Sequence, residues 1–421
     1  MIELKKEKTT FQWLDYITLI VSMFFIAYVF LRLFGYYIDA ITFVLPLIVA
    51  GMYMVVSMDW SAKATSYIIG IIALKAGLTI VELLCTNNLT FGGFVSMFTQ
   101  LFMDMFPLYL VYTILRSQNK TLIRLILILT VATLLYVLVL TFIQIGEDDR
   151  FMRDMSINYT NYTKYDVNNA GGFSFAYAMA VLIGFLISLF LIDYQKNGVW
   201  IKIGLGVGLI AAILLVVNSS YTLALMISVI VIFIAIAEKI EKTYAKVIFW
   251  LCCIIGSVVL INVSDWIIAM MPTDEMKLRL SEVFMFFKEG DSSGYNLNGR
   301  MTLYWNSIVA FFKSPIIGNE TLGFDPHSSI LRFFAKDGIL GGCAYLLLFY
   351  FGYRLVVKHF IGESKEKYFQ PVFWALILMG MVNPIHSVST VHYIAFFIAP
   401  LTLALLNTEK KEKNNEISLG N

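Results

Sequence analysis

Apolar runs of about 17–22 residues recur from one end of the 421-residue chain to the other, and each can cross a hydrocarbon core of about 30 Å as a helix. They fall at about 14–33, 38–56, 64–84, 94–115, 122–145, 171–192, 203–217, 221–237, 247–263, 338–357, 371–386 and 390–407. A bilayer offers no water to an unsatisfied backbone, so each run is expected to be helical. The predicted fold is an all-α integral membrane protein: residues 1–421 form a single polytopic membrane domain of about twelve transmembrane helices. Composition excludes a soluble core, because 59% of residues are hydrophobic and 14% charged, against about 45–50% and about 25% in soluble domains. The first run follows a charged stretch, Met1 to Lys8, and is too long for a signal-peptide core, so it is expected to remain as a span.

The formal net charge of +2 balances 31 basic against 29 acidic residues, which gives no reason to expect a nucleic-acid partner. Position is more informative than total. With the N-terminus inside, the cytoplasmic segments hold Lys5, Lys6, Lys8, Lys63, Arg116, Lys120, Arg124, Lys196, Lys202, Lys239, Lys242, Lys246, Arg354, Lys358, Lys365, Lys367, Lys410, Lys411 and Lys413. The short outer loops near 34–37, 85–93, 218–221 and 386–389 hold no basic residue, as the positive-inside rule requires. Both termini are therefore expected in the cytoplasm. Cys85, Cys252, Cys253 and Cys343 lie in or beside apolar runs with no metal-ligand spacing, and read as packing residues.

The other basic residues are Arg32 and Lys75, at or inside spans, and those of two long outer segments, 146–170 and 264–336. The first segment carries Arg150 and Arg153 among acidic residues, then Asn158, Tyr159, Asn161, Tyr162, Tyr165, Asn168 and Asn169. Amides and tyrosines suit a sugar-binding surface, and they equally suit a solvated loop resting in the interfacial aromatic belt. In the second segment, Thr273 or Asp274 is placed to cap a helix running to Lys288. Its apolar side, Met276, Leu280, Val283, Phe284 and Phe287, is expected to lie flat on the bilayer surface. Asn298-Gly299 predicts a turn that puts Arg300 at the start of a helix from Met301 to Lys313, which Ser314-Pro315 ends. Asp325-Pro326 then predicts a helix start, with Asp325 as cap and His327 in the first turn. Free N–H groups there favour an anion such as phosphate, and Arg300 adds a planar cation suited to phosphate oxygens. Both residues suit lipid headgroups as well. Arg332, five positions after His327, does not share its face, and it is expected to meet a headgroup or an acidic partner.

Taken together, Asn298-Gly299-Arg300-Met301-Thr302-Leu303-Tyr304-Trp305, Phe312-Lys313-Ser314-Pro315-Ile316-Ile317-Gly318 and Pro326-His327-Ser328-Ser329-Ile330-Leu331 form a recognisable string. It resembles the signature region of the bacterial O-antigen and capsular polysaccharide polymerase and ligase family, and Gly338 with Gly341-Gly342 also fits. The close match covers about 45 residues. The resemblance implies a GT-C-like membrane fold and a metal-independent, inverting glycosyltransferase without cofactor, acting on the outer face of the bacterial cytoplasmic membrane. Its implied donor is undecaprenyl-pyrophosphate-linked oligosaccharide, with a chain-length regulator and a flippase as implied partners. It assigns pyrophosphate binding and transfer to Arg300 and His327. One position departs from the pattern: Ser219-Ser220-Tyr221-Thr222 puts Tyr221 where many members carry an arginine. Arg150, Arg153 and Arg279 are the candidates for the missing cation.

On this reading Arg300 stabilises the leaving pyrophosphate while His327 takes the acceptor proton, with Asp325 as a cap able to orient the histidine. His386 and His392, beside the last outer connection, are candidates for an acceptor cleft, whereas His359 lies toward the cytoplasm. Lys75, Glu82 and Asp104 within spans suggest neutralising pairs or a relay, and Arg32 and Asp39 sit near span ends. Two other functions compete. A ligase passing the finished glycan to another acceptor would share the donor site, and a lipid-oligosaccharide flippase would share the span count. A transporter is disfavoured because no two-halves repeat occurs and a large outer loop carries the motif.

Overall fold

The computed structural model describes residues 11–31, 39–59, 63–85, 105–152, 154, 170–191, 199–289, 295–316, 318, 327–383 and 389–406. Among them every element is helical and no strand occurs. Helices α1 (Trp13–Phe30), α2 (Asp39–Ser57), α3 (Lys63–Cys85), α4 (105–117) and α5 (Lys120–Glu147) form the first half. There follow α6 (Phe173–Leu191), α7 (Val199–Asn218), α8 (Thr222–Ala237) and α9 (Thr243–Asn262). Three helices, α10 (Ser264–Ala269), α11 (Asp274–Glu289) and α12 (Tyr295–Lys313), occupy the second long segment. The chain closes with α13 (Ser329–Leu355), α14 (Glu366–Val382) and α15 (Ser389–Tyr393), and helix continues beyond α13 and α15 through π-helical turns at Val356–Ile361 and Ile394–Ile398.

Among the described residues six stretches are long and apolar enough to cross a membrane: Trp13–Phe30, Lys120–Glu147, Phe173–Leu191, Ile201–Asn218, Thr243–Asn262 and Ser329–Ile361. Helix α9 argues most strongly for a lipid solvent. None of its residues is buried, and Val247, Ile248, Leu251, Ile254, Ile255 and Val258 all face outward. A helix this apolar, with no buried residue, is stable only where the surroundings are apolar too. Helix α6 is the opposite case, buried along most of its length. Its small residues Ala176, Ala178, Ala180 and Gly184 let neighbouring backbones come close. At Gly184 a β-carbon would strike Val231 of α8 and touch the Pro371 carbonyl of α14.

The helices alternate in direction, so their connections gather at two ends. At one end Asp15, Ser57, Asp59, Arg116 and Asn119 meet: Asn119 Nδ2 donates to Asp15 Oδ2 at 3.2 Å, and Arg116 donates to the Ser57 carbonyl at 2.7 Å. A hydroxyl ladder runs inward from it, with Tyr53 OH 2.8 Å from both Thr18 Oγ1 and Thr113 Oγ1, and Ser57 Oγ 2.8 Å from Tyr109 OH. Every rung has a partner, which is how polar groups hold helices together without water. The opposite end collects the residues after α5, the α7–α8 turn, α10 to α12, the start of α13 and the end of α14. Tyr221 OH donates to the Met152 carbonyl at 2.9 Å, and Thr390 Oγ1 to the Ser174 carbonyl at 3.1 Å.

Three local expectations for the second segment need correction. Helix α11 does begin at Asp274, with Thr273 Oγ1 accepting the Met276 N–H at 3.2 Å. Its Met276, Leu280 and Val283 side, however, is buried against protein rather than laid on a bilayer, because α8, α9, α10 and α12 all reach this helix. The exposed apolar stripe belongs to α12, where Met301, Trp305 and Phe312 face outward within about 40° of arc. Asn298-Gly299 does not turn: α12 already starts at Tyr295, which places Arg300 in its second turn. Nor does Asp325 cap α13, whose N-cap is Ser328, with its hydroxyl accepting the Leu331 N–H at 3.1 Å. His327 therefore precedes the helix in an exposed turn instead of sitting in the first helical turn.

A backbone clasp fixes α12 against α13. After α12, Ser314 Oγ donates to the Gly318 carbonyl at 2.8 Å, and the Gly318 N–H returns to the Ser314 carbonyl at 3.0 Å. This turn docks on a break in α13 at Gly338, where φ is 66° and ψ −161°. The Ile339 N–H donates to the Pro315 carbonyl at 2.8 Å. A β-carbon on Gly318 would fall on the Lys336 carbonyl, and one on Gly338 on the Ile316 carbonyl. Both glycines have positive φ, so side chains are excluded by conformation as well as by contact. Lys336 and Asp337 are buried at this break.

Candidate functional site

Arg300 and Tyr304 stand four residues apart on α12 and so project from one face. Tyr304 OH donates to the Val382 carbonyl at 3.2 Å, bringing that face to the end of α14. The next residue, Asn383, caps α14 in an extended conformation, its N–H bonded to the Met379 carbonyl at 2.7 Å. The Asn383 carbonyl accepts both the Ser329 N–H, at 3.2 Å, and the Ser329 hydroxyl, at 3.1 Å. Ser328 Oγ donates to the Gly380 carbonyl at 3.3 Å while capping α13. The His327-Ser328-Ser329 strip is thus stitched to the end of α14 that the Arg300 face also reaches.

Two tyrosines from the helices behind complete the cluster. Tyr177, one turn into α6, is 2% exposed, lies beside the Asn383 carboxamide, and feels the charge of Arg300 together with Tyr221 and Tyr304. Tyr221 is the N-cap residue of α8. Its ring lies 5.5 Å from Phe173 and 5.8 Å from Tyr177, and it follows Ser220, which has a φ of 61°. Arg300 is half-buried and has no carboxylate partner among the described residues. A permanent cation partly withdrawn from water beside neutral donors is costly by itself, and an anion would offset that cost.

The other candidate cations have a different setting. Arg279 bonds Glu275 at 2.9 Å and Glu282 at 2.8 Å, both on its own helix. Arg150 reaches the same Glu275 at 3.2 Å. Its side chain is 63% exposed and that of Glu275 only 3%. These pairs tie the stretch after α5 to α11 and neutralise the two arginines. Arg332 is half-buried in the first turn of α13, with its N–H on the Ser328 carbonyl at 2.9 Å. His392 is buried in α15, with ring centroids 6.2 Å from Phe349 and from Phe396. His359 lies 5.3 Å from the Tyr67 ring on a π-helical turn.

Arg153, Asp325, His386, Arg32, Asp104 and residues 155–169 lie outside the described residues, as do the side chains of Asp39, Lys75 and Glu82. Among the described residues no group of three His, Cys, Asp or Glu side chains is placed to hold a metal.

Of the residues singled out from sequence, the fold brings Arg300 and Tyr221 into one cluster and anchors the backbone beside His327 to it. Sequence reasoning missed Tyr177, Tyr304 and Asn383. Tyr304 carried a signal, its spacing of four from Arg300. Tyr177 and Asn383 carried none, because only tertiary packing brings them to Arg300. No protein-family profile matches the chain, and no curated protein is significantly similar to it.

Proposed function

We propose that the chain is a polysaccharide polymerase of the bacterial cytoplasmic membrane, transferring a growing glycan from undecaprenyl pyrophosphate to the next lipid-linked repeat unit. In this reading the chain makes about twelve spans, both termini are cytoplasmic, and the Arg300 end faces outward. The observation that carries it is the setting of Arg300: a half-buried guanidinium with no carboxylate partner among the described residues, on the same helix face as Tyr304 and close enough to Tyr177 for its charge to be felt there. The sequence resemblance around Arg300 and His327 supports the same reading. So does the α12 stripe of Met301, Trp305 and Phe312, which suits the acyl region next to a site for a lipid-borne donor.

In the proposed reaction an acceptor hydroxyl oxygen attacks the anomeric carbon of the donor glycan. The carbon–oxygen bond to the pyrophosphate breaks as the new glycosidic bond forms, which inverts the anomeric centre. The acceptor proton passes to His327, and the charge left on the pyrophosphate is stabilised by Arg300. Arg150 and Arg279, already neutralised by Glu275 and Glu282, attract the donor only weakly.

The test is reconstitution of the full-length protein with lipid-linked repeat units alone. A ladder of glycan lengths supports the polymerase. Transfer only to a separately added acceptor would replace it with a ligase, and bilayer crossing without bond formation would replace it with a flippase.

A further inference from the structure

The sequence has no arginine at Tyr221, and Arg150 and Arg279 are held by carboxylates. The described groups beside Tyr177 other than Arg300 are neutral, and one of them is unfinished. Asn383 is 2% exposed, and its Nδ2 has no hydrogen-bond partner among the described residues. The backbone of Asn383 is fully engaged, its N–H by Met379 and its carbonyl by Ser329. A buried amide donor left in this way calls for an acceptor. Tyr177 OH lies close enough to the same carboxamide to interact with it but not to complete a hydrogen bond with Nδ2, and it sits within the field of Arg300.

We propose that Asn383 and Tyr177 complete, with Arg300, a phosphate-binding pocket in which a carboxamide and a phenol stand where a second arginine is absent. The three groups come from α12, from α6 and from the cap of α14, so they approach from three separate elements. A tetrahedral phosphate presents oxygens in several directions and can meet all three, whereas the two oxygens of a carboxylate share one plane. As a site for the donor's pyrophosphate, the pocket rests on the transferase reading above. A phospholipid headgroup carries the same chemistry.

The experiment is calorimetric titration of the full-length protein in a phosphate-free maltoside detergent. Three probes are used: inorganic pyrophosphate, a short polyprenyl pyrophosphate and short-chain phosphatidylglycerol. Tyr177→Phe and Asn383→Leu should each weaken pyrophosphate binding about tenfold, the loss of one hydrogen bond to a charged group. Asn383→Asp keeps the side-chain shape and the backbone carbonyl that Ser329 uses, but replaces a donor with a negative charge. It should weaken binding about a hundredfold, and it reports even if Asn383→Leu fails to fold. Tighter binding of polyprenyl pyrophosphate than of phosphatidylglycerol assigns the pocket to the lipid carrier. The reverse order, with the same losses in the variants, upholds the pocket as a headgroup site and removes its support for glycan transfer. Absence of pyrophosphate binding by the wild type, or unchanged affinity in Asn383→Asp and Tyr177→Phe, would overturn the pocket. A polymer ladder still made by the wild type would then leave the transferase reading standing on Arg300 and His327.

Discussion

Arg116 and Arg300 sit at opposite ends of one helical bundle and are treated in opposite ways. Arg116 is engaged by groups of its own protein: it donates to the Ser57 carbonyl at 2.7 Å, lies 3.8 Å from the Asp59 carboxylate, and rests 5.8 Å above the Tyr112 ring. Its end is closed by further internal bonds, Lys246 to Glu238 at 3.6 Å, Tyr353 to Glu366 at 2.7 Å and Lys365 to the Leu403 carbonyl at 2.9 Å. Arg300 has Tyr304 on its own helix face, its charge is felt at Tyr177, and it has no carboxylate partner among the described residues. Even at its own end, Arg279 and Arg150 are paired. Cations are common at both ends, so charge alone does not mark a site. What sets Arg300 apart is a half-buried cation with no carboxylate partner among the described residues.

The largest expected effect breaks this contrast at its centre. Arg300→Ala should lower the rate of glycan transfer by about 10²–10³-fold, the scale of removing one transition-state donor. Transfer per folded Arg116→Ala molecule should stay near that of the wild type. Its stability should fall by about 1 kcal/mol, since Asp59 is 41% exposed and the pair is screened. His327→Ala, assayed with the same lipid-linked units, should lose at least about 10²-fold if the histidine takes the acceptor proton.

The clasp supplies the next effect. Gly338→Ala forces a β-carbon into positive φ and onto the Ile316 carbonyl, and should cost more than about 2 kcal/mol. A lowered unfolding temperature with the mutant protein still in the membrane fraction would show it. An unchanged temperature would mean that α12 and α13 are not held by this contact. Glu275→Gln should cost about 1–3 kcal/mol by leaving Arg279 and Arg150 without their shared carboxylate. Faster proteolysis near Arg150 would read it out, and unchanged cleavage would argue that the pairs are incidental. The smallest effect is that of Ser328→Ala, which loses the cap of α13 and should cost about 1 kcal/mol. It should also disturb His327 next to it, so transfer should fall by more than stability alone explains.

The helices were legible because a 17-residue or longer apolar run leaves the backbone few other choices in a bilayer. The cap at Thr273 was legible for the same local reason, a hydroxyl three residues before a free N–H. Local rules failed where two signals competed. Asp325-Pro326 looked like a helix start, but Ser328 is the residue whose hydroxyl meets the Leu331 N–H. Asn298-Gly299 looked like a turn, yet it lies inside α12, where packing against α13 outweighs the weak helix propensity of both residues. The amphipathic side of α11 was correctly seen, but periodicity does not say whether protein or lipid covers it. The site was legible at Arg300, whose motif is local. Tyr177 and Asn383 reach it only through the fold.

In the proposed function Arg300 receives the departing pyrophosphate. Purified wild-type, Arg300→Ala and Arg116→Ala proteins, matched for folded content in neutral lipid vesicles, should be given lipid-linked repeat units alone and the glycan products resolved by length. The account predicts a ladder from wild type and from Arg116→Ala, and unconverted single units from Arg300→Ala. A full ladder from Arg300→Ala, or its loss from Arg116→Ala with Arg300→Ala active, would contradict it.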